Sequence, residues 1–450
     1  MKFSMSTANI TPDEPVFMNG FGARTHASVG VLDPLYMKAA LMVAGEALLL
    51  VTIDALGSDR SFTVGIKDAL QARFGLTHAQ VMINFSHTHH SVFLTGTDVS
   101  LRRGGYSMGQ SGWMDDERAI DYTRDEAYFV FVRDQLLRMV ETCFAGLEEG
   151  ELQVGRSSSD FAVSRRRPVG GGRVAWQPYP EAEIDRDLFV LRLIDRAGNT
   201  KGILFNYGCH TTAMGASNYL LSGDFAGFAA ARLEQACPGA TAMYLQGCAG
   251  ELKPLHSAEK DRFVPCDPEQ TKRAGEYLAD DVLTLLRQGL FAPALGKFQS
   301  QLHDPFLYTE RTPAAVYERL AANPELGAFH RAAARRLLQS IANGTARERL
   351  PYYIGVWRLG EETTIVALEG EVSTQYSLLI KRLFGNGRLI VLGYTNGVFC
   401  YVPTRSILEE GGYEAESNYF FDLRGPFVPE IEDIITGRLA QALLLPPEGV

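Results

Sequence analysis

The chain reads as an α/β protein, with central mixed β-sheets flanked by helices. Three observations predict this. Apolar runs of strand length, such as Leu48-Leu49-Leu50-Val51-Thr52-Ile53 and Gly202-Ile203-Leu204-Phe205-Asn206-Tyr207, alternate with stretches of helical spacing. The first alternation, 48–53, then 61–74, then 79–83, is a β-α-β unit, which favours parallel or mixed pairing. Several runs also end in glycine, histidine or glutamate, and open α/β sheets place ligands and metals at strand ends.

Composition sets the bounds. The 450 residues are 46% hydrophobic and 21% charged, which is ample for a large core. A net charge of −10 argues against nucleic acid and anionic membrane as partners. The N-terminus lacks the basic start, apolar core and cleavage site of a signal peptide. The longest apolar region, 39–55, is interrupted by Glu46 and Asp54 and is too short to span a bilayer. It reads as two strands around a Gly45-Glu46 turn. No transmembrane segment is therefore expected, and the cytoplasm is the expected location. The six cysteines form no CxxC pair and are expected to be reduced, buried thiols. There is no repeat or flexible linker, so 1–450 reads as a single catalytic domain with a peripheral helical segment at about 305–348.

The elements follow in order. After 48–53, Asp54 caps a strand end. Residues 61–74 carry Phe62, Val64, Ile66, Leu70 and Phe74 at helical spacing. The run 79–83 is a buried strand leading to Asn84-Phe85-Ser86-His87-Thr88-His89-His90. Residues 95–120 are rich in Gly, Ser and Asp and read as a long loop over the site. An amphipathic helix is expected over 121–147. The run Arg165-Arg166-Arg167 ordinarily signifies a solvated charge patch; its place before Gly170-Gly171-Gly172 also lets one arginine enter a cleft and hold an anion or carbonyl oxygen. Strand 202–207 closes with Gly208-Cys209-His210, and Ser222-Gly223-Asp224 opens a helix to about 235. Strand 242–245 leads to Gln246-Gly247-Cys248-Ala249-Gly250, where small residues imply close backbone approach. Helices are expected over 269–290 and 312–345. Strand 364–368 exits at Glu369-Gly370-Glu371, a helix runs to about 384, strand 389–394 follows, and 430–443 is a closing helix.

His87, His210 and Glu371 each stand just past a strand, far apart in sequence. Two neutral nitrogens and a carboxylate oxygen are the donor set of a catalytic zinc site with a position left for water. Zinc makes hydroxide available near neutral pH and polarises a carbonyl. Each residue alone has a plainer reading, a hydrogen-bonded core histidine or a helix-start glutamate.

These motifs resemble the neutral, non-lysosomal ceramidases and their shorter bacterial relatives. The resemblance rests on Ile10-Thr11-Pro12, Asp33-Pro34-Leu35-Tyr36, Ser86-His87-Thr88-His89, Asn206-Tyr207-Gly208-Cys209-His210, Leu221-Ser222-Gly223-Asp224, Leu368-Glu369-Gly370-Glu371 and Tyr401-Val402-Pro403-Thr404 with Tyr413-Glu414 beyond. It implies a ceramidase catalytic-domain fold and a zinc ion on His87, His210, Glu371 and Tyr401. It implies catalytic or positioning roles for His89, Tyr413 and Arg165, and a supporting role for Asp224. The sequence departs from the family at Gly250-Glu251-Leu252-Lys253-Pro254, where Lys253 takes the place of a serine in Gly-Asp-Val-Ser-Pro-Asn. The resemblance also covers the catalytic domain without the C-terminal immunoglobulin-like domain of the long ceramidases. The expected activity is zinc-dependent hydrolysis of an N-acyl amide other than ceramide, with Lys253 favouring an acidic substrate if it faces the pocket. An esterase or lactonase would use nearly the same site. Cys248 as nucleophile, or a non-catalytic zinc- or lipid-binding relative, are further readings.

Overall fold

The computed structural model describes residues 1–96, 123–385 and 387–444. Its largest element is a nine-stranded mixed sheet. From edge to edge it runs Thr241–Gln246, Thr200–Tyr207, Asp187–Asp195, Glu148–Ser158, Lys2–Asn9, Tyr36–Ala44, Glu46–Ile53 and Val81–Phe85, with Phe291–Pro293 added beside Glu148–Ser158. The outermost pair at each edge is parallel and the pairs between are antiparallel. A second sheet joins Phe298–His303, Ile354–Leu359, Thr363–Leu368 and Arg388–Leu392.

Strand alternation sorts the core into layers. Leu41, Leu49, Val51, Ile53 and Ile83 face the helices Arg60–Phe74, Thr123–Ala145, Asp224–Ala236 and Pro268–Gln288. Their neighbours Ala40, Met42, Leu48, Leu50 and Met82 face the second sheet and meet Trp357, Ile365 and Ile390. On that sheet's far side Val356, Val366, Leu368 and Val391 pack against Thr374–Phe384 and Ile431–Leu444. The order is helix, sheet, sheet, helix. Strands buried on both faces read as continuous apolar runs, because each large side chain placed in the core contributes roughly 1.5–3 kcal/mol.

Several expectations shift. The run at 79–83 becomes a 3-10 turn, His78–Gln80, followed by the strand Val81–Phe85. Thr77 and Gln80 cap that turn, so the strand exits at Ser86-His87. Strands Glu148–Ser158 and Asp187–Asp195 were not marked by the apolar pattern, because their outward positions carry charge. The arginine run lies inside a strand, Ala162–Gly170, paired with Arg173–Tyr179. The helical stretch expected at 312–345, with its Asn323-Pro324 punctuation, comprises two helices, Ala314–Ala322 and Ala328–Ala342. The expected loop at 95–120 lies outside the described residues from 97 onward. Among the described residues no helix is long and apolar enough to cross a membrane.

The helix Arg60–Phe74 buries Phe62, Ile66 and Leu70, but also Lys67. Its ammonium donates to the His78 carbonyl at 3.2 Å. Burial brings Lys67 from 10.5 down to about 7. The unfolded chain therefore holds this proton more tightly than the folded one. The penalty is full below pH 7 and fades as pH rises toward 10.5. Lys67→Met should raise stability by about 1–3 kcal/mol at pH 7. Urea titrations at a series of pH values should show the gain shrinking in alkali; a gain that grows there would contradict this account.

Candidate active site

The edge strands of the main sheet meet at their C-terminal ends. Asn84, fully buried, ties them together. Its Nδ2 donates to the Gln246 carbonyl at 3.2 Å, the Gly393 carbonyl at 2.9 Å and Thr395 Oγ1 at 3.0 Å, and its Oδ1 accepts from the Gln246 N–H at 2.8 Å. The exits of Val81–Phe85, Thr241–Gln246 and Arg388–Leu392 are thus held at one point.

His87 follows at once, in the left-handed region with φ +59°. Such backbone costs on the order of 1–3 kcal/mol in a non-glycine residue and concentrates at functional sites. His87 Nδ1 lies 2.6 Å from the Leu56 carbonyl, and His210 Nδ1 lies 3.2 Å from the Ala249 carbonyl. Carbonyls only accept, so both Nδ1 atoms carry the proton and both Nε2 atoms keep a lone pair. Those two Nε2 atoms are 3.1 Å apart. His89 Nε2 stands 3.2 Å from that of His87. Burial, followed by His87, pushes His89 and His210 well below the usual histidine range, which keeps them neutral.

Glu371 completes the cluster. One carboxylate oxygen is 3.3 Å from His87 Nε2 and 3.6 Å from His210 Nε2. Neither oxygen has a hydrogen-bond donor, although the residue is buried. Lone pairs facing one another beside an orphaned carboxylate are costly without a cation. Donors 2.0–2.2 Å from a tetrahedral zinc stand about 3.3–3.6 Å apart, close to the spacing of these atoms. The residues fit a divalent metal.

The Glu371 carbonyl is approached by Gly250, where a Cβ would lie 2.8 Å from it. Glu371 pairs directly with Tyr401 across the Glu371–Val372 and Tyr401–Val402 bridge. The Tyr401 ring lies nearly parallel to that of His210, 6.4 Å away. Burial, then the Glu371 charge, holds its phenol protonated, and the Arg165 guanidinium lies 5.5 Å from the centre of its ring.

Arg165 and Arg166 are buried, not solvated as a charge run usually is. Arg165 Nε donates to Glu414 at 2.7 Å, and Arg166 Nη1 donates to the other oxygen of Glu414 at 2.6 Å. Burial opposes charge on Glu414, but the two arginines outweigh it and lower its pKa. Arg165 Nη2 is buried with no partner. Its guanidinium stacks 4.0 Å from the Trp176 ring and 5.6 Å from Tyr413. Tyr413 lies 5.4 Å from Tyr401 ring to ring.

The structure therefore brings His87, His89, His210, Glu371, Tyr401, Arg165 and Tyr413 to one place. Asp224 stays outside the cluster. Its carboxylate accepts the N–H groups of Ala213, Met214 and Phe225, fixing the loop behind His210. Lys253 is half-buried, and donates to the Thr212 carbonyl and hydroxyl at 3.2 and 2.9 Å. Cys248 is buried in an apolar cluster, and burial pushes its thiol well above the usual range, which disfavours the thiolate a nucleophile needs. His90 is drawn off to Arg24 at 2.9 Å.

The model of the neutral/alkaline non-lysosomal ceramidase N-terminal region matches residues 4–266, more than half of the chain. The chain belongs to the neutral/alkaline non-lysosomal ceramidase family. A neutral ceramidase of Mycobacterium tuberculosis is 27% identical over 214 residues, 45% of this chain and 33% of that relative. The matched stretch thus spans about a third of the curated relative. The crystal structure of neutral ceramidase from Pseudomonas aeruginosa superposes with a TM-score of 0.72 at 18% identity, covering 99% of this chain and 75% of that one. A ceramidase complexed with C2 gives 0.70 at 18% identity, covering 100% and 76%. At that identity the likeness establishes the ceramidase fold.

Several residues of this ceramidase-family site were missed by sequence reasoning. Tyr394, with φ +51°, places its hydroxyl 3.3 Å from His210 Nδ1. Arg24 donates to the His89 carbonyl and so fixes that residue's backbone. Gly20 lies against the His89 ring, where a Cβ would fall 2.4 Å from Nδ1. Glu414 was legible only as a motif neighbour of Tyr413. Arg24 carried no signal in the sequence, since its partners, three carbonyls and the His90 ring, come mostly from distant loops.

Proposed function

We propose that this chain is a zinc-dependent hydrolase that cleaves the amide bond of an N-acyl compound other than ceramide, acting as one catalytic unit over 1–450. The observation that carries the reading is the buried carboxylate of Glu371, without a donor, facing the Nε2 atoms of His87 and His210. His87, His210, Glu371 and Tyr401 would hold the ion. A bound zinc supplies an acidified water and polarises the carbonyl.

The chain's own groups do the rest. His89 Nε2, beside the cluster, takes the water's proton and returns it to the leaving nitrogen. The free Nη2 of Arg165, with the Tyr413 hydroxyl, donates to the carbonyl oxygen as negative charge grows there. Trp176 and Glu414 hold the guanidinium in place. As the C–N bond breaks, the products are a carboxylic acid and an amine. The family supports a ceramidase-kind hydrolase; the lysine in place of the serine supports a different substrate.

His87→Ala should remove both bound zinc and turnover. Metal content and rates on N-acyl amines, N-acyl amino acids, esters and lactones would be measured on the same preparations. Activity surviving in metal-free protein would rule this mechanism out, and turnover of esters or lactones alone would rule out the amide assignment.

A further inference from the structure

Lys253 lies on the short strand Leu252–Pro254, paired with Ala162–Gly170. The register sets Lys253 opposite Val163, and Arg165 is two residues further along the same strand. Side chains alternate along a strand, so Lys253 and Arg165 project from the same face of the ribbon. That face looks toward the loop bearing His210: Lys253 is bonded to Thr212, and the Arg165 guanidinium lies 5.5 Å from the centre of the Tyr401 ring.

Charge on this ribbon is unbalanced. Among the described residues no carboxylate lies within 4.0 Å of the Lys253 ammonium. The ammonium has three N–H groups, and two go to Thr212. Glu414 is shared between Arg165 and Arg166, and the second acid on Arg166, Glu410, is half-exposed. Arg165 keeps one buried nitrogen without a partner. The carboxylate whose charge Lys253 feels is that of buried Asp224, which is already engaged by the N–H groups of Ala213, Met214 and Phe225. Burial, followed by Arg165, brings the lysine down only to about 8, so it remains charged at neutral pH.

We infer that the third N–H of Lys253 binds a carboxylate carried by the substrate, so that the preferred substrate is an N-acyl amide with an acidic group, such as an N-acyl amino acid. This rests on the amidase reading above. Arg165 takes the scissile carbonyl and Lys253 the carboxylate, two anionic or polarised groups read by one face. A single charge-assisted hydrogen bond to a half-buried ammonium changes affinity by about tenfold.

The test compares matched pairs on the full-length metal-loaded protein. Turnover of an N-acylglycine is set against the N-acylethanolamine of equal chain length. Equilibrium binding of the corresponding non-hydrolysable N-alkylsulfonyl glycine and N-alkylsulfonyl ethanolamine is measured alongside. Wild type should favour the acid in both. Lys253→Gln should lose that preference by about tenfold, with the neutral partner changed little, and Lys253→Arg should retain it. An acid-to-neutral binding ratio unchanged in Lys253→Gln would overturn the inference, even if amides are cleaved. Absence of turnover with the binding ratio shifted would instead sink the amidase reading and leave the anion subsite standing.

Discussion

On the proposed zinc-hydrolase reading, Glu371→Gln will abolish zinc retention and lower turnover by on the order of a thousandfold, while the metal-free fold stays as stable as wild type or becomes more stable. The shape is conserved; only the charge is lost. In the metal-free protein that charge is a liability, because Glu371 is buried with both oxygens unsatisfied. A buried carboxylate without a donor costs several kcal/mol, and an amide in the same place costs less. Bound metal reverses the balance by placing a cation among Glu371, His87 and His210, whose facing atoms lie 3.1 to 3.6 Å apart. Melting curves should therefore rank metal-loaded wild type highest, then metal-free variant, then metal-free wild type or level with it. Metal content near one ion per variant chain would defeat this account, as would a metal-free variant that melts far below metal-free wild type.

Asn84→Ala will destabilise the fold by about 3–5 kcal/mol and weaken metal retention at the same time. One amide serves three strand ends. It bonds to the backbone of Gln246 in both directions and to Gly393 and Thr395, just past the end of the second sheet's strand Arg388–Leu392. Removing it takes these partners from the Gln246 carbonyl and N–H in an enclosed site, while the Gly393 carbonyl keeps only its bond from the Thr395 hydroxyl. His87 is three residues on and His210 leaves the neighbouring strand Thr200–Tyr207, so loosening this junction also loosens the spacing of the metal donors. Urea unfolding and zinc competition would be followed together. A loss under about 1 kcal/mol would mean that the sheets hold their edges together without this residue.

The strand exits were readable in the sequence because sheets buried on both faces produce continuous apolar runs, and chemistry collects where those runs stop. That is why His87, His210 and Glu371 could be singled out, and why the family's motifs could be attached to them. Other features were hidden for equally physical reasons. A charge run has no periodicity that reveals burial, so the sequence let one arginine of the three enter a cleft, and the family's motif pointed to Arg165, but nothing marked Arg166 as buried beside it. Their partner, Glu414, comes from the far end of the chain. Glu369 and Glu371 looked alike at one strand exit, yet Glu369 is consumed by Arg60 at 2.8 Å while Glu371 faces the histidines. Lys67 is buried on its helix with Phe62, Ile66 and Leu70, and the apolar spacing gave no sign of it.

By itself, the sequence determined the α/β class, the strand-loop positions of the imidazoles and the carboxylate, and the lysine that departs from the family. Those depend on local pattern and residue type. Only the tertiary structure decided which carboxylate lacks a donor, which arginines are buried, that one asparagine joins three strand ends, and that Lys253 shares a face with Arg165. Each of these is set by partners distant in the chain, and a side chain's charge becomes a cost or a use only once folding has removed its water.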